Sequence, residues 1–347
     1  MYKLVLSQEA DKTRKTNNRS KQNRIKNITY AQALNEALIE EMQRDEKVFC
    51  IGEDIGKHGG AYQVTTGLID IFSEKRVRNT PISELGYTGF AIGAAMKGLR
   101  PVVEYMYIDF MYLAMDQIAN QAAKLRFMTG GNIKIPIVFR TQGGAGIGGS
   151  GQHSQSLEAF FYHIPGLKVI MPSTPYDAKG LLKAAIRDDN PVVFIEHKLL
   201  YSTQGDVPEE EYVLPIGRAD IKRVGTDLTI IATSNMILKV LSVAERLKNK
   251  LDIEIIDPRT LVPLDLDVII SSVKKTNRVI IVQEAPRRGG VASDISSFII
   301  ENAFDFLDSP VKIIAGKNTI IPFASSLERE AIPSEDLIES EILQFIK

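Results

Sequence analysis

The feature that most constrains the fold is a rhythm of short apolar runs alternating with helical spacing. Strand-like runs fall at 47–51, Arg76 to Thr80, Pro101 to Tyr107, Ile135 to Arg140, Lys168 to Met171 and Val192 to Glu196. Between them, Thr29 and Gln32 form a capping box, and Tyr30, Ala33, Leu34, Ala37, Leu38 and Met42 share one helical face. Phe110 to Met128 and Tyr176 to Arg187 read as further helices. A second βα series has strands at 227–231, 253–256, 278–282 and 311–314, with helical runs around 236–249 and 291–304. Strands alternating with helices predict a mostly parallel sheet covered on both faces. The expected class is therefore α/β with two doubly wound domains.

The boundaries follow from breaks in that rhythm. Residues 1–27 carry Lys12, Arg14, Lys15, Arg19, Lys21, Arg24 and Lys26 with almost no apolar pattern after Leu6, so a basic disordered tail is expected. Glu9, Asp11 and weak amphipathicity argue against a transit peptide. The first domain is assigned to 28–202, a polar, turn-rich linker to 203–216, and the second domain to 217–340. A length of 347 residues suits two cores. A net charge of −1 gives no electrostatic case for nucleic acid or a membrane, and no apolar stretch reaches spanning length. The single cysteine, Cys50, excludes a disulfide framework and a multi-cysteine metal site; within Val48-Phe49-Cys50-Ile51 it reads as a core thiol.

Two stretches carry chemistry. In Pro81-Ile82-Ser83-Glu84-Leu85-Gly86-Tyr87 a carboxylate follows a strand and precedes Gly86, Gly89, Ala91, Gly93, Ala94, Ala95 and Gly98, small residues that admit a close backbone or a flat ligand. Glu84 there is either a helix-end carboxylate stabilised by the dipole or a poorly solvated acid with raised proton affinity. The glycine-rich loop 143–151 precedes Gln152-His153-Ser154-Gln155. It lacks the Lys-Ser/Thr ending of a P-loop and the dinucleotide spacing, so it reads as a mobile cover with His153 at its edge. His58, His163 and His197 show no metal-ligand spacing.

From about Ile28 onward the chain resembles the beta subunits of thiamine-diphosphate-dependent 2-oxo acid dehydrogenases. The matching stretches include Ile51-Gly52-Glu53-Asp54, Thr80 to Gly86, Gly98-Leu99-Arg100-Pro101, Gln152-His153-Ser154-Gln155 and Pro165-Gly166-Leu167-Lys168-Val169. They continue through Tyr176 to Leu182, Ala185 to Pro191, Asp257-Pro258-Arg259-Thr260 and Gly289-Gly290. The resemblance implies a pyrimidine-binding domain followed by a transketolase C-terminal-like domain.

It also implies site residues. Glu84 would hydrogen-bond a ring nitrogen of the aminopyrimidine, favouring the imino tautomer that removes the thiazolium proton. Phe110, Ile82 and Met106 would contact the cofactor, and His153 would assist acyl transfer to a lipoyl group. Structural potassium would be held by carbonyls at Ile137, Ala185, Ile186, Asp188 and Asn190. The chain has no Gly-Asp-Gly segment, so the diphosphate and Mg2+ would belong to an alpha subunit, in an assembly of two alpha and two beta chains. The further partner would be a lipoylated dihydrolipoyl acyltransferase core, and the compartment cytoplasmic, with an organelle left open. Pyruvate dehydrogenase is the expected activity, with acetoin and branched-chain 2-oxo acid dehydrogenases as alternatives. Glu84 and His153 count against a non-catalytic docking subunit, and the missing diphosphate motif against a self-contained transketolase-like enzyme. The C-terminal domain is expected to serve assembly and docking rather than bond-making.

Overall fold

The structure, a computed structural model, describes residues 24–347. The strands of the first half are β1 (Ile25–Thr29), β2 (Val48–Gly52), β3 (Val77–Asn79), β4 (Arg100–Glu104), β5 (Val138–Gly143), β6 (Lys168–Ile170), β7 (Val192–His197) and β8 (Gln204–Pro208). Those of the second half are β9 (Asp220–Arg223), β10 (Leu228–Ala232), β11 (Ile253–Asp257), β12 (Thr260–Val262), β13 (Val279–Pro286) and β14 (Lys312–Gly316). One sheet has the order β12-β6-β7-β5-β4-β2-β3, the other β14-β13-β10-β11-β9. Within these two sheets all pairings are parallel except those of β12 and β9, at one edge of each. Central strands β2, β5 and β7 are buried at every position, because helices cover both faces.

The expected capping box is present: the Thr29 hydroxyl accepts from the Gln32 amide, while the Gln32 side chain accepts from the Thr29 N–H. The six apolar residues expected on one face of helix Tyr30–Arg44 are all buried. That helix packs against helix Pro175–Arg187, where buried Lys179 and Lys183 reach Glu36 at 2.9 Å and Glu40 at 2.6 Å. Cys50 is buried against Met42, with Sγ and Sδ 3.8 Å apart.

Three expectations change. The tail assigned to 1–27 lies mostly outside the described residues, but its end is not irregular. Ile25–Thr29 is β1, paired antiparallel with β8 from Ile25↔Pro208 to Thr29↔Gln204. The 203–216 linker accordingly contains a strand; polar composition concealed it because Val207 alone of β8 is fully buried. Phe110 to Met128 is not one regular helix. The chain winds as a 3-10 helix over Ile108–Ala114, a π-helix over Asp116–Ala122 and an α-helix over Ala123–Met128. Such changes of pitch rotate successive side chains off a single face and recur at functional sites.

The two halves share structure. β12 belongs to the second half of the chain yet forms an edge of the first sheet by pairing with β6. The Met171 N–H donates to the Arg259 carbonyl at 2.8 Å, and the Arg259 guanidinium to Asp177 at 3.2 Å. Lys222 of β9 also pairs with Asp177. One apolar cluster runs from Phe139 and Val169 through Leu261 to Ile231 and Ile256. Ending the chain at Ile216 would therefore unpair the β6 edge and open that cluster. The expected outcome is a fragment with strong hydrophobic-dye binding and no cooperative melt; a sharp thermal transition in the fragment would contradict it.

Candidate active site

The C-terminal ends of the parallel strands bring the chemistry together, as open α/β sheets do. β2 and β3 lie side by side, with Gly52 in register with Asn79, and the Thr80 N–H donates to the Gly52 carbonyl at 3.0 Å. Glu53 and Glu84 leave these neighbouring strand ends, the latter as the first residue of helix Glu84–Met96. Both carboxyls are buried, Glu53 at 6% exposure and Glu84 at 7%. Burial, reinforced by the charges of Glu84 and Asp54, pushes Glu53 up to about 7. Its Oε1 and the nearby Tyr87 hydroxyl are buried without a hydrogen-bond partner.

A cluster of rings forms beyond β4. His153 stands edge-on to Tyr107 at 4.7 Å and to Phe110 at 5.3 Å between centroids, and Tyr107 meets Phe110 at 5.9 Å. Tyr62 extends the cluster to Tyr201, on which it stacks at 4.6 Å. Lys198, just past β7, lies 5.2 Å over the Tyr107 ring and donates to the His153 carbonyl. Burial pushes this lysine down to about 8. Phe110 and His153 are thus brought together directly. Met106 is half-buried next to this cluster in sequence, while Ile82 is 83% exposed beside Glu84.

A buried ion triad lies under the site. Arg140 of β5 pairs with Glu104 of β4 and donates from Nε to Glu196 of β7 at 2.5 Å; the Tyr201 hydroxyl also donates to Glu196. Gly60 is required above it, since a Cβ there would lie 2.4 Å from a Glu104 oxygen.

The glycine loop is tied to the second half of the chain. The Ala145 N–H donates to Glu284 Oε1 at 2.7 Å; those of Gly146 and Gly148 donate to the two oxygens of Glu328 at 2.7 and 3.0 Å. Glu284 also faces His197 Nε2 at 2.9 Å. Because His197 Nδ1 accepts from the Leu199 N–H, Nε2 is the protonated nitrogen. Nothing near Glu284 or Glu328 in sequence signals this role. Glu53, Lys198 and the Arg140 triad were likewise missed, since only the fold brings them to one place.

The five positions expected to hold potassium lie at the opposite end of the same sheet. Here the Arg100 guanidinium donates to the carbonyls of Ile186 at 3.1 Å and Asp188 at 3.0 Å. The Ile137 carbonyl accepts from Val192, that of Ala185 from the Asp188 N–H, and the Asn190 side chain from Arg126. A guanidinium thus already faces two of the five.

Paired carboxyls, an aromatic wall and a histidine thus gather at the strand ends of a two-domain α/β scaffold. The family model of the transketolase pyrimidine binding domain matches residues 26–204, and that of the transketolase C-terminal domain residues 217–338. The pyruvate dehydrogenase E1 component subunit beta of Rickettsia felis is 49% identical over 90% of this chain and 97% of its own length. The beta subunit of acetoin:2,6-dichlorophenolindophenol oxidoreductase of Bacillus subtilis is 45% identical over 92% and 97%. The 2-oxoisovalerate dehydrogenase subunit beta of Bacillus subtilis is 44% identical over 90% and 97%. Among solved structures, a split-gene transketolase described as an inactive beta4 tetramer shares the fold with a TM-score of 0.74 at 20% identity, covering 92% of this chain and 98% of that one. The chain belongs to the transketolase-like family, among the beta subunits of 2-oxo acid dehydrogenase E1 components. Membership implies dependence on thiamine diphosphate.

The raised proton affinity of Glu53 has a consequence for stability. An acid whose pKa rises on folding adds stability lost as pH climbs from its unfolded value through the folded one, here from the ordinary glutamate range to about 7. Glu53→Gln, which stays neutral, is expected to melt above wild type at pH 8, with the difference shrinking toward pH 5. Melts of the two proteins across that range check it.

Proposed function

We propose that this chain is the beta subunit of a pyruvate dehydrogenase E1 component. Pyruvate loses carbon dioxide, and its acetyl group passes to the disulfide of a lipoyl group on an acyltransferase core, which is reduced as the thioester forms. The observation that carries this reading is the buried, neighbouring pair Glu53 and Glu84 at the head of the small-residue helix. Unpartnered polar oxygens there suit a nitrogen-rich ring.

Thiamine diphosphate supplies the electron sink for cleaving the bond beside a ketone. Glu84 would hold a proton at the aminopyrimidine ring nitrogen, and a neutral Glu53 would spare Glu84 a second negative charge in the same apolar pocket. Phe110 would face the ring, with Ile82 and Met106 along its edge. His153 would hold or deliver a proton during acyl transfer, within reach of solvent but walled by Tyr107 and Phe110.

An alpha subunit would complete the pocket and bring the Mg2+ and diphosphate site, for which this sequence has no Gly-Asp-Gly. The surface offered to it is apolar and open. Leu85 and Phe90 are more than half exposed, and a Cβ at Gly93 would meet nothing within 4 Å. Two alpha and two beta chains would form the complex.

Co-expression with the alpha partner and comparison of pyruvate, branched-chain 2-oxo acids and acetoin tests the substrate; faster turnover of either alternative overturns pyruvate. In the same complex Glu84→Gln should assemble normally but slow exchange of the thiazolium proton, followed by NMR, about a hundredfold. His153→Ala should lower acetylation of a free lipoyl domain more steeply than decarboxylation read with an artificial acceptor. The potassium assignment rests on the second lone pair of each carbonyl already bonded. It requires a higher melting temperature in KCl than in NaCl of equal strength, and equal melting would leave Arg100 as the cation of that turn.

A further inference from the structure

We infer that Glu328, together with Glu284, is a positioning residue for acyl transfer, so that the C-terminal domain sets where His153 stands. The inference rests on the function proposed above. Its physical basis is an anion-binding turn already filled by the protein itself. Gly144, Gly146 and Gly148 take φ of +85°, +112° and +70°, and around these glycines the N–H groups of Ala145, Gly146 and Gly148 turn onto two carboxylates. Glycine turns that present several N–H groups bind phosphate in other proteins. Here both carboxylates come from the C-terminal half: Glu284 from β13 and Glu328 from helix Ser325–Ala331.

The clasp leaves little slack. Glu328 is 3% exposed, and each of its oxygens accepts one loop N–H. A Cβ at Gly144 would lie 2.1 Å from His197 Nε2, and one at Gly149 would lie 2.8 Å from the His153 carbonyl. The loop therefore folds back directly onto His153, whose carbonyl is taken by Lys198. Lys198 in turn lies in the field of Asp109, Glu284 and Glu328. A shift at Gly146 or Gly148 is passed to His153 through packed backbone rather than absorbed.

The test uses the complex of this chain with its alpha partner and two variants. Glu328→Gln keeps the shape but puts an amide N–H against one of the two loop donors. Glu328→Ala leaves both donors facing a space that acetate can enter. Hydrogen exchange of loop amides in 145–148 should quicken about tenfold or more in each variant, because a charge-assisted bond restrains them in wild type. The ratio of lipoyl-domain acetylation to decarboxylation should fall by a similar factor. Acetate should restore that ratio in Glu328→Ala, while chloride at equal ionic strength should not.

Unchanged exchange would overturn the clasp. Faster exchange with a wild-type ratio would show that the clasp orders the loop without positioning His153. If wild type itself fails to acetylate a lipoyl domain, the functional reading and the positioning role fall together, while exchange still reports whether the clasp exists.

Discussion

The site depends on one buried cation. Arg140 sits in the middle of three neighbouring parallel strands and holds Glu104 on one side and Glu196 on the other. Register makes this possible: Glu104 is directly opposite Arg140 across the β4–β5 pair, and Glu196 lies opposite Gln142 across β5–β7. Removing Arg140 would leave two interior carboxylates without a counter-charge, at a cost of about 3–5 kcal/mol. Burial drives both glutamates toward the neutral form, and the guanidinium opposes it. That balance pins the strand ends from which Tyr105 to Phe110 and His197 to Tyr201 depart, and hence the aromatic wall and Lys198.

Above that floor, the carboxyls divide into two kinds. Glu53 is buried with one oxygen that the chain does not satisfy, beside an unpartnered Tyr87 hydroxyl, which is expensive unless something else is meant to meet them. Glu328, buried, and Glu284, partly buried, are instead paired with loop amides and a histidine. The contrast separates groups held ready from groups already engaged, without reference to any relative.

Much of this was legible in sequence, for identifiable reasons. Local and periodic signals survived folding: the Thr29 box, the buried face of the first helix, the two βα series and the Glu84 stretch before a small-residue helix. What was lost is what depends on distance along the chain. β1 pairs with β8 across most of the first domain, and β12 crosses into the other sheet; neither has a local signature beyond a few residues. The 3-10 and π turns between Ile108 and Ala122 were invisible because their residues also suit an α-helix. The glycine loop lacks the ending of a P-loop, but its partners, Glu284 and Glu328, lie too far downstream for its composition to show them.

The one thiol offers something practical. Cys50 is the sole cysteine, is buried in β2, and is pushed up to about 12 chiefly by desolvation. A thiol that stays protonated and enclosed does not react with maleimides or oxidants under ordinary conditions. The wild-type chain is therefore a silent background for spectroscopy. A cysteine placed at exposed Ile147, at the tip of the glycine loop, would carry a fluorophore or spin label there and nowhere else.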